Sequence, residues 1–114
     1  MTTIFGKIVR GEIPCEKVFE NERILAFKDI APKAPIHILI IPKKEIPNLQ
    51  AVSKEDMPLV SEMLCIAQFI AQEQGIADGY RLLTNNGKEG GQEVFHLHFH
   101  LLGGKKLQTH TELG

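Results

Sequence analysis

His96-Leu-His-Phe-His-Leu-Leu102, close to the end of the 114-residue chain, alternates imidazole with apolar side chains. Successive side chains of an extended strand point to opposite faces. The stretch therefore reads as part of a strand over residues 94–102. His96, His98 and His100 share one face, and Leu97, Phe99 and Leu101 share the other, which must be covered by a core. Working back along the chain, Asn85-Asn-Gly-Lys-Glu-Gly-Gly91 is a turn-rich loop, and residues 80–84 before it form another strand. The cover comes from residues 53–75, where the period changes. Ser53 and Asp56 have capping-box spacing, Met57, Val60, Leu64, Ala67 and Ala71 trace one helical stripe, and Gly75 stops it. Met63 and Ile70 broaden the stripe, and core packing accounts for the methionines and Phe69 without a cofactor.

Further back, Ile36-His-Ile-Leu-Ile-Ile41 is apolar on both faces and closed by Pro42, as a central strand would be. The stiff connector 31–35 precedes it. Residues 17–20 and 23–29 read as two strands joined in a hairpin at Asn21-Glu22. Ile4, Phe5, Ile8 and Val9 fall at helical spacing before Gly11 and predict a short N-terminal helix. Together these elements predict an α+β fold, a five-stranded and mainly antiparallel sheet with one long and one short helix. A single domain over residues 1–114 is expected, since two halves would each be too small to hold a core.

The charge balance narrows the function classes. Thirteen basic and fourteen acidic residues leave a formal net charge of -1, so no global field draws the chain to nucleic acid or an anionic membrane. An anionic substrate has to be caught by local groups. Cys15 and Cys65 make no disulfide framework or metal motif, and the first ten residues lack the apolar run of a signal peptide. The expectation is a reduced, cytoplasmic protein with neither a nucleic-acid nor a membrane partner.

Three of the chain's five histidines stand within five positions. An incidental row on a solvated strand edge is one reading, but such faces are ordinarily built from Lys, Glu and Thr. Metal binding is another: alternate histidines on a strand can share zinc. A third ligand from the same strand would require strained rotamers, and no cysteine or carboxylate cluster adjoins the row in sequence, so His37 or another distant residue would have to help. No metal or cofactor is expected. Chemistry on phosphorus is the reading that uses the whole row. Imidazole titrates near 6.5, so a neutral central ring can attack phosphorus while its neighbours donate to phosphate oxygens. Gly90 and Gly91 permit close backbone approach and could offer amides to an anion, although the loop is not a Walker motif.

The row, with Leu101-Leu102 after it, resembles the motif of the histidine triad (HIT) family. Thr3-Ile-Phe with Gly11-Glu-Ile-Pro14, Ala26-Phe-Lys-Asp-Ile30, Ala34-Pro-Ile-His37, Gly79-Tyr-Arg81, Gly90-Gly-Gln-Glu-Val94 and Leu102-Gly-Gly104 are similar to its Hint branch. The resemblance implies a HIT-like fold and a homodimer whose two sheets join into one. It also implies hydrolysis of the P–N bond of purine nucleoside 5'-phosphoramidates through a nucleotidyl-histidine. His98 becomes the nucleophile, His96 and His100 flank it against phosphate or leaving group, and His37 supports them from behind. Ile13, Phe27 and Ile30 map to the purine pocket, with Phe5 and Ile8 nearby. Asp29 accepts from the ribose hydroxyls, or is simply a turn residue before Ala31-Pro32. Asn85 and the backbone of Gly91 and Gln92 hold phosphate, with Val94 beside them. Glu93 departs from the serine common in animal members and is shared with bacterial ones. Residues 105–114 diverge within the family and are expected to tune the amine accepted, with His110 on the surface. A dinucleoside polyphosphate hydrolase or nucleotidyl transferase, or a non-catalytic purine nucleotide-binding module, are the alternatives.

Overall fold

The computed structural model describes residues 3–109; His110 lies outside them. Five strands form one antiparallel sheet: β1 (Lys17–Glu20), β2 (Ile24–Lys28), β3 (Ile36–Pro42), β4 (Tyr80–Leu83) and β5 (Phe99–Gly103), in the order β1-β2-β3-β5-β4. The β1–β2 turn is organised by Asn21, whose side-chain oxygen accepts from the amides of Arg23 at 2.9 Å and Ile24 at 2.8 Å. β3 lies at the centre, as its two apolar faces predict, and is buried from His37 onward. Pro42 ends it.

Alternation along the strands separates two layers. Ile24, Ala26, Ile38, Ile40, Phe99 and Leu101 face one way, into a core closed by the long helix α2 (Met57–Glu73). Leu25, Phe27, Leu39 and Ile41 face the other way, and Phe5 of the short helix α1 (Ile4–Val9) packs on them. Thr3 starts α1 by accepting from the amide of Gly6 at 3.1 Å. Where β5 ends, Gly103 runs against Ile76: a Cβ there would sit 2.7 Å from Ile76 Cδ1.

Helix α2 corrects two details of the sequence reading. Its buried face is Val60, Met63, Ile66, Ala67, Ile70 and Ala71, whereas Met57 and Leu64 are exposed. The i, i+3, i+4, i+7 spacing of 63, 66, 67 and 70 sets that face, and Leu64 falls to its side. The cap is one-sided. Ser53 accepts from the amide of Asp56 at 3.2 Å, but the Asp56 carboxylate turns outward to Lys44 at 2.7 Å. Phe69 is exposed and meets Phe19 edge-on, with ring centroids 6.0 Å apart. No helix among the described residues is long and apolar enough to cross a membrane.

Candidate active site

The face opposite α2 is only partly covered by α1, and a cavity of about 470 Å³ opens beside it. Its wall combines the apolar side chains of Phe5, Ile8, Ile13, Phe27 and Leu39 with Asn85, Gly91, Glu93, Val94, His98 and His100. Asp29 and the exposed Ile30 stand at the margin. Those sequence-predicted residues are thus brought together. Cys15, Lys28 and Leu39 also line the cavity. Leu39 was readable, since it shares the strand face of His37 and Ile41; Cys15 lies in an irregular segment with no period to place it.

The histidine stretch is less regular than predicted. Only Phe99 to Gly103 join the ladder, and residues 94–98 are a non-ladder strap. Alternation survives nonetheless: Leu97, Phe99 and Leu101 enter the α2 core while the imidazoles turn to the other side. Leu97 is pinned by its amide, which donates to the carbonyl of Ile46 at 2.7 Å. Nearby backbone groups thereby replace the missing ladder.

The row does not lie along the cavity as a unit. His96 is 1% exposed and absent from the cavity wall, and its Nε2–H donates to the carbonyl of Pro42 at 2.7 Å. It is an anchor rather than a phosphate contact, which corrects the role expected from the motif. Its own carbonyl accepts from Nδ1 of His98 at 2.7 Å. A neutral imidazole carries one N–H, so this bond assigns the hydrogen to Nδ1 and leaves the lone pair on Nε2. Phe5 packs edge-on to this ring at 5.0 Å between centroids, and His100 lies at 5.0 Å on another side.

His100 is oriented through a chain of bonds. The amide of Lys33 donates to His37 Nδ1 at 3.0 Å, so the hydrogen of His37 sits on Nε2. Nε2 then donates to His100 Nδ1 at 2.9 Å, which leaves the N–H of His100 on Nε2, available to an acceptor. Asp29 Oδ2 lies 3.4 Å from the same His37 nitrogen, while its Oδ1 accepts from the amide of Ala31 at 2.8 Å. The carboxylate is therefore a turn organiser and a margin group of the cavity at once. Burial lowers the pKa of His37, His96 and His98, and it lowers that of His100 to about 4, helped by the neighbouring His98 and His37. All four rings are held neutral near pH 7.

Asp29, His37 and His100 present ligand atoms within 4.8 Å of one another, a carboxylate and two imidazoles that the sequence did not suggest as a group. A metal there would need the lone pair of His37 Nε2. With Nδ1 accepting from the Lys33 amide, that nitrogen carries hydrogen, so the set fits a hydrogen-bonded relay better than a metal centre.

The glycine loop also departs from expectation. Gly91 takes φ +88°, a conformation that favours glycine. However, the amides of Gly90, Gly91 and Gln92 are spent inside the turn, on the carbonyls of Gly87, Lys88 and Gly87. The Gln92 side chain is buried as a clip: Oε1 accepts from Gly87 at 2.8 Å, and Nε2 donates to Pro47 at 2.7 Å and Val94 at 2.9 Å. Gly91 and Gln92 therefore shape the cavity and do not supply donors. Among the described residues, the amides of Glu93 and Val94 have no protein acceptor, and both residues line the cavity. Glu93 itself is exposed.

A buried imidazole row at the mouth of a half-covered sheet face is the arrangement of a histidine triad domain, and residues 10–107 match the family model described as HIT domain. The chain belongs to the HIT family. It is 58% identical over 105 residues to a HIT-like protein of Chlamydia pneumoniae, covering 92% of this chain and 96% of that one. It is 51% identical over 106 residues to the purine nucleoside phosphoramidase of Escherichia coli K12, covering 92% and 89% respectively. The solved HIT family hydrolase from Legionella pneumophila superposes with a TM-score of 0.91 at 48% identity, covering 94% of this chain and 96% of that structure. The HIT fold expected from the motif is the fold found.

Proposed function

We propose that the protein is a hydrolase of purine nucleoside 5'-phosphoramidates acting through His98. One observation carries the reading: Nδ1 of His98 is committed to the His96 carbonyl, which leaves the lone pair on Nε2, and this ring lines a cavity of about 470 Å³. The base packs on the apolar part of the wall, Phe5, Ile8, Ile13 and Phe27. The phosphate lies against the free amides of Glu93 and Val94, the Asn85 side chain and the Nε2–H of His100.

In the first step Nε2 of His98 forms a bond to the α-phosphorus as the P–N bond breaks. The amine leaves with a proton drawn from water at the open margin. The phosphorylated ring is then cationic, and its Nδ1–H remains bonded to the His96 carbonyl, which stabilises that charge. Water attacks phosphorus in the second step and gives up a proton to solvent, replacing the one the amine took. The N–P bond breaks with its electron pair returning to Nε2, and the nucleoside monophosphate leaves with the ring restored to its neutral form. His100 is neutral throughout and holds a phosphate oxygen by donation. His37 keeps it in the donating tautomer.

The same reading makes the protein a cytoplasmic homodimer that needs no metal. The support for pairing is the outer edge of β4, which pairs with no further strand among the described residues and beside which a second copy could extend the sheet. The test is direct. Mixing with an adenosine phosphoramidate and quenching within milliseconds should yield an acid-labile AMP adduct on the peptide bearing His98. Turnover without such an adduct, or an adduct on another residue, overturns the proposal.

A further inference from the structure

Thr84 follows the last residue of β4, and its Oγ1 donates to the carbonyl of His98 at 2.6 Å. β4 pairs with β5 only as far as Leu83 opposite His100. Continuing the antiparallel register would place residue 84 opposite 99 and residue 85 opposite 98. Instead the ladder stops and the threonine hydroxyl satisfies the carbonyl that the departing strap would leave bare. The next residue, Asn85, already lines the cavity. A single hydroxyl thus joins the loop that faces the phosphate to the backbone of the residue that attacks it.

We propose that Thr84 is a positioning residue for His98, setting the distance and direction of its Nε2 relative to phosphate held at Asn85 and Val94. The inference rests on His98 as the nucleophile. Three bonds locate that ring: His96 Nε2 to the Pro42 carbonyl, His98 Nδ1 to the His96 carbonyl, and Thr84 Oγ1 to the His98 carbonyl. The first ties the strap to the end of β3, as the Leu97 amide ties it to Ile46, and the second fixes the ring relative to the strap. Only the third ties the nucleophile's own peptide to the β4 side. Small displacements of a reacting atom cost rate more than they cost ground-state binding.

The experiment compares Thr84→Val, which keeps the shape and removes the donor, with Thr84→Ser, which keeps the donor. With an adenosine phosphoramidate, Thr84→Val should lower the single-turnover rate of adduct formation about tenfold, the size of one lost hydrogen bond. Its AMP Kd should stay within about threefold and its Tm should fall only a few degrees. Thr84→Ser should regain most of the rate. Histidine 15N spectra of the unliganded variants supply a readout independent of turnover: the His98 signals should move in Thr84→Val and return in Thr84→Ser. An unchanged rate in Thr84→Val overturns the inference. So does a Thr84→Ser rate as low as that of Thr84→Val, or a rate loss matched by equal loss of AMP affinity, which would mark a merely structural role. Failure of the underlying reading would show differently, as His98→Ala retaining wild-type turnover.

Discussion

The two faces of the sheet are built from alternate residues of the same strands, yet they do opposite things. On one, Ile38, Ile40, Phe99 and Leu101 meet the 17-residue α2 and are sealed. On the other, Leu25, Phe27, Leu39 and Ile41 meet Phe5 of the six-residue α1, and His98 and His100 line the cavity beside it. The uncovered part is the cavity. A face packed to completion stores stability, whereas a face left partly open gives reactive groups a dry but reachable setting. The imidazoles show the consequence, since burial enough to lower the pKa of His98 and His100 coexists with their place in the cavity wall.

The contrast breaks most sharply at His98. His98→Ala should lower kcat at least about a thousandfold while AMP still binds, measured by steady-state kinetics and calorimetry. Near-normal turnover would remove the open face's chemistry from this residue. The opposite face should respond in the opposite currency. Ile40→Ala, at a position with no exposed surface, should cost roughly 2–5 kcal/mol in urea denaturation, with kcat per folded molecule unchanged. A catalytic loss without a stability loss there would deny that the faces are separate.

Acid sharpens the comparison. His98 and His100 have folded-state pKa values depressed below 6.5, so kcat/KM should hold steady through pH 6.5 and fall only at lower pH. Stability follows the same window. As pH drops from 6.5 toward 4, the unfolded chain takes up protons that the buried rings refuse, and the folded state loses ground. A rate profile breaking at or above 6.5 would contradict the burial argument. The smallest expected effect concerns thiols. Cys15 lines the cavity and Cys65 is exposed elsewhere, so AMP at ten times its Kd should slow alkylation of Cys15 about tenfold and leave Cys65 unaffected. Equal protection, or none, would misplace the base.

Much of this was legible because period is local. Alternation in residues 96–102 placed His98 and His100 on one side and the core on the other, even where the strap left the ladder. The helix face was displaced by one position because Leu64 is as apolar as Ile66, and only contact with β3 chooses between them. His96 and Gln92 were misassigned for a different reason. Their partners, Pro42 and Pro47, are more than forty residues away, and no spacing announces such a bond. The amides of Gly91 and Gln92 are spent inside the turn, and among the described residues those of Glu93 and Val94 keep no protein acceptor, a matter of backbone conformation.

The sequence by itself determined the sheet, its covering helix, the family motif and the shared side of the imidazoles, since each follows from side-chain period and residue type. Tertiary structure alone decided which imidazole is an anchor, which nitrogen of each ring bears hydrogen, and which amides remain free. Those properties depend on acceptors brought in from distant strands and turns. A hydrogen bond is settled by where its second partner stands, and chain folding sets that place.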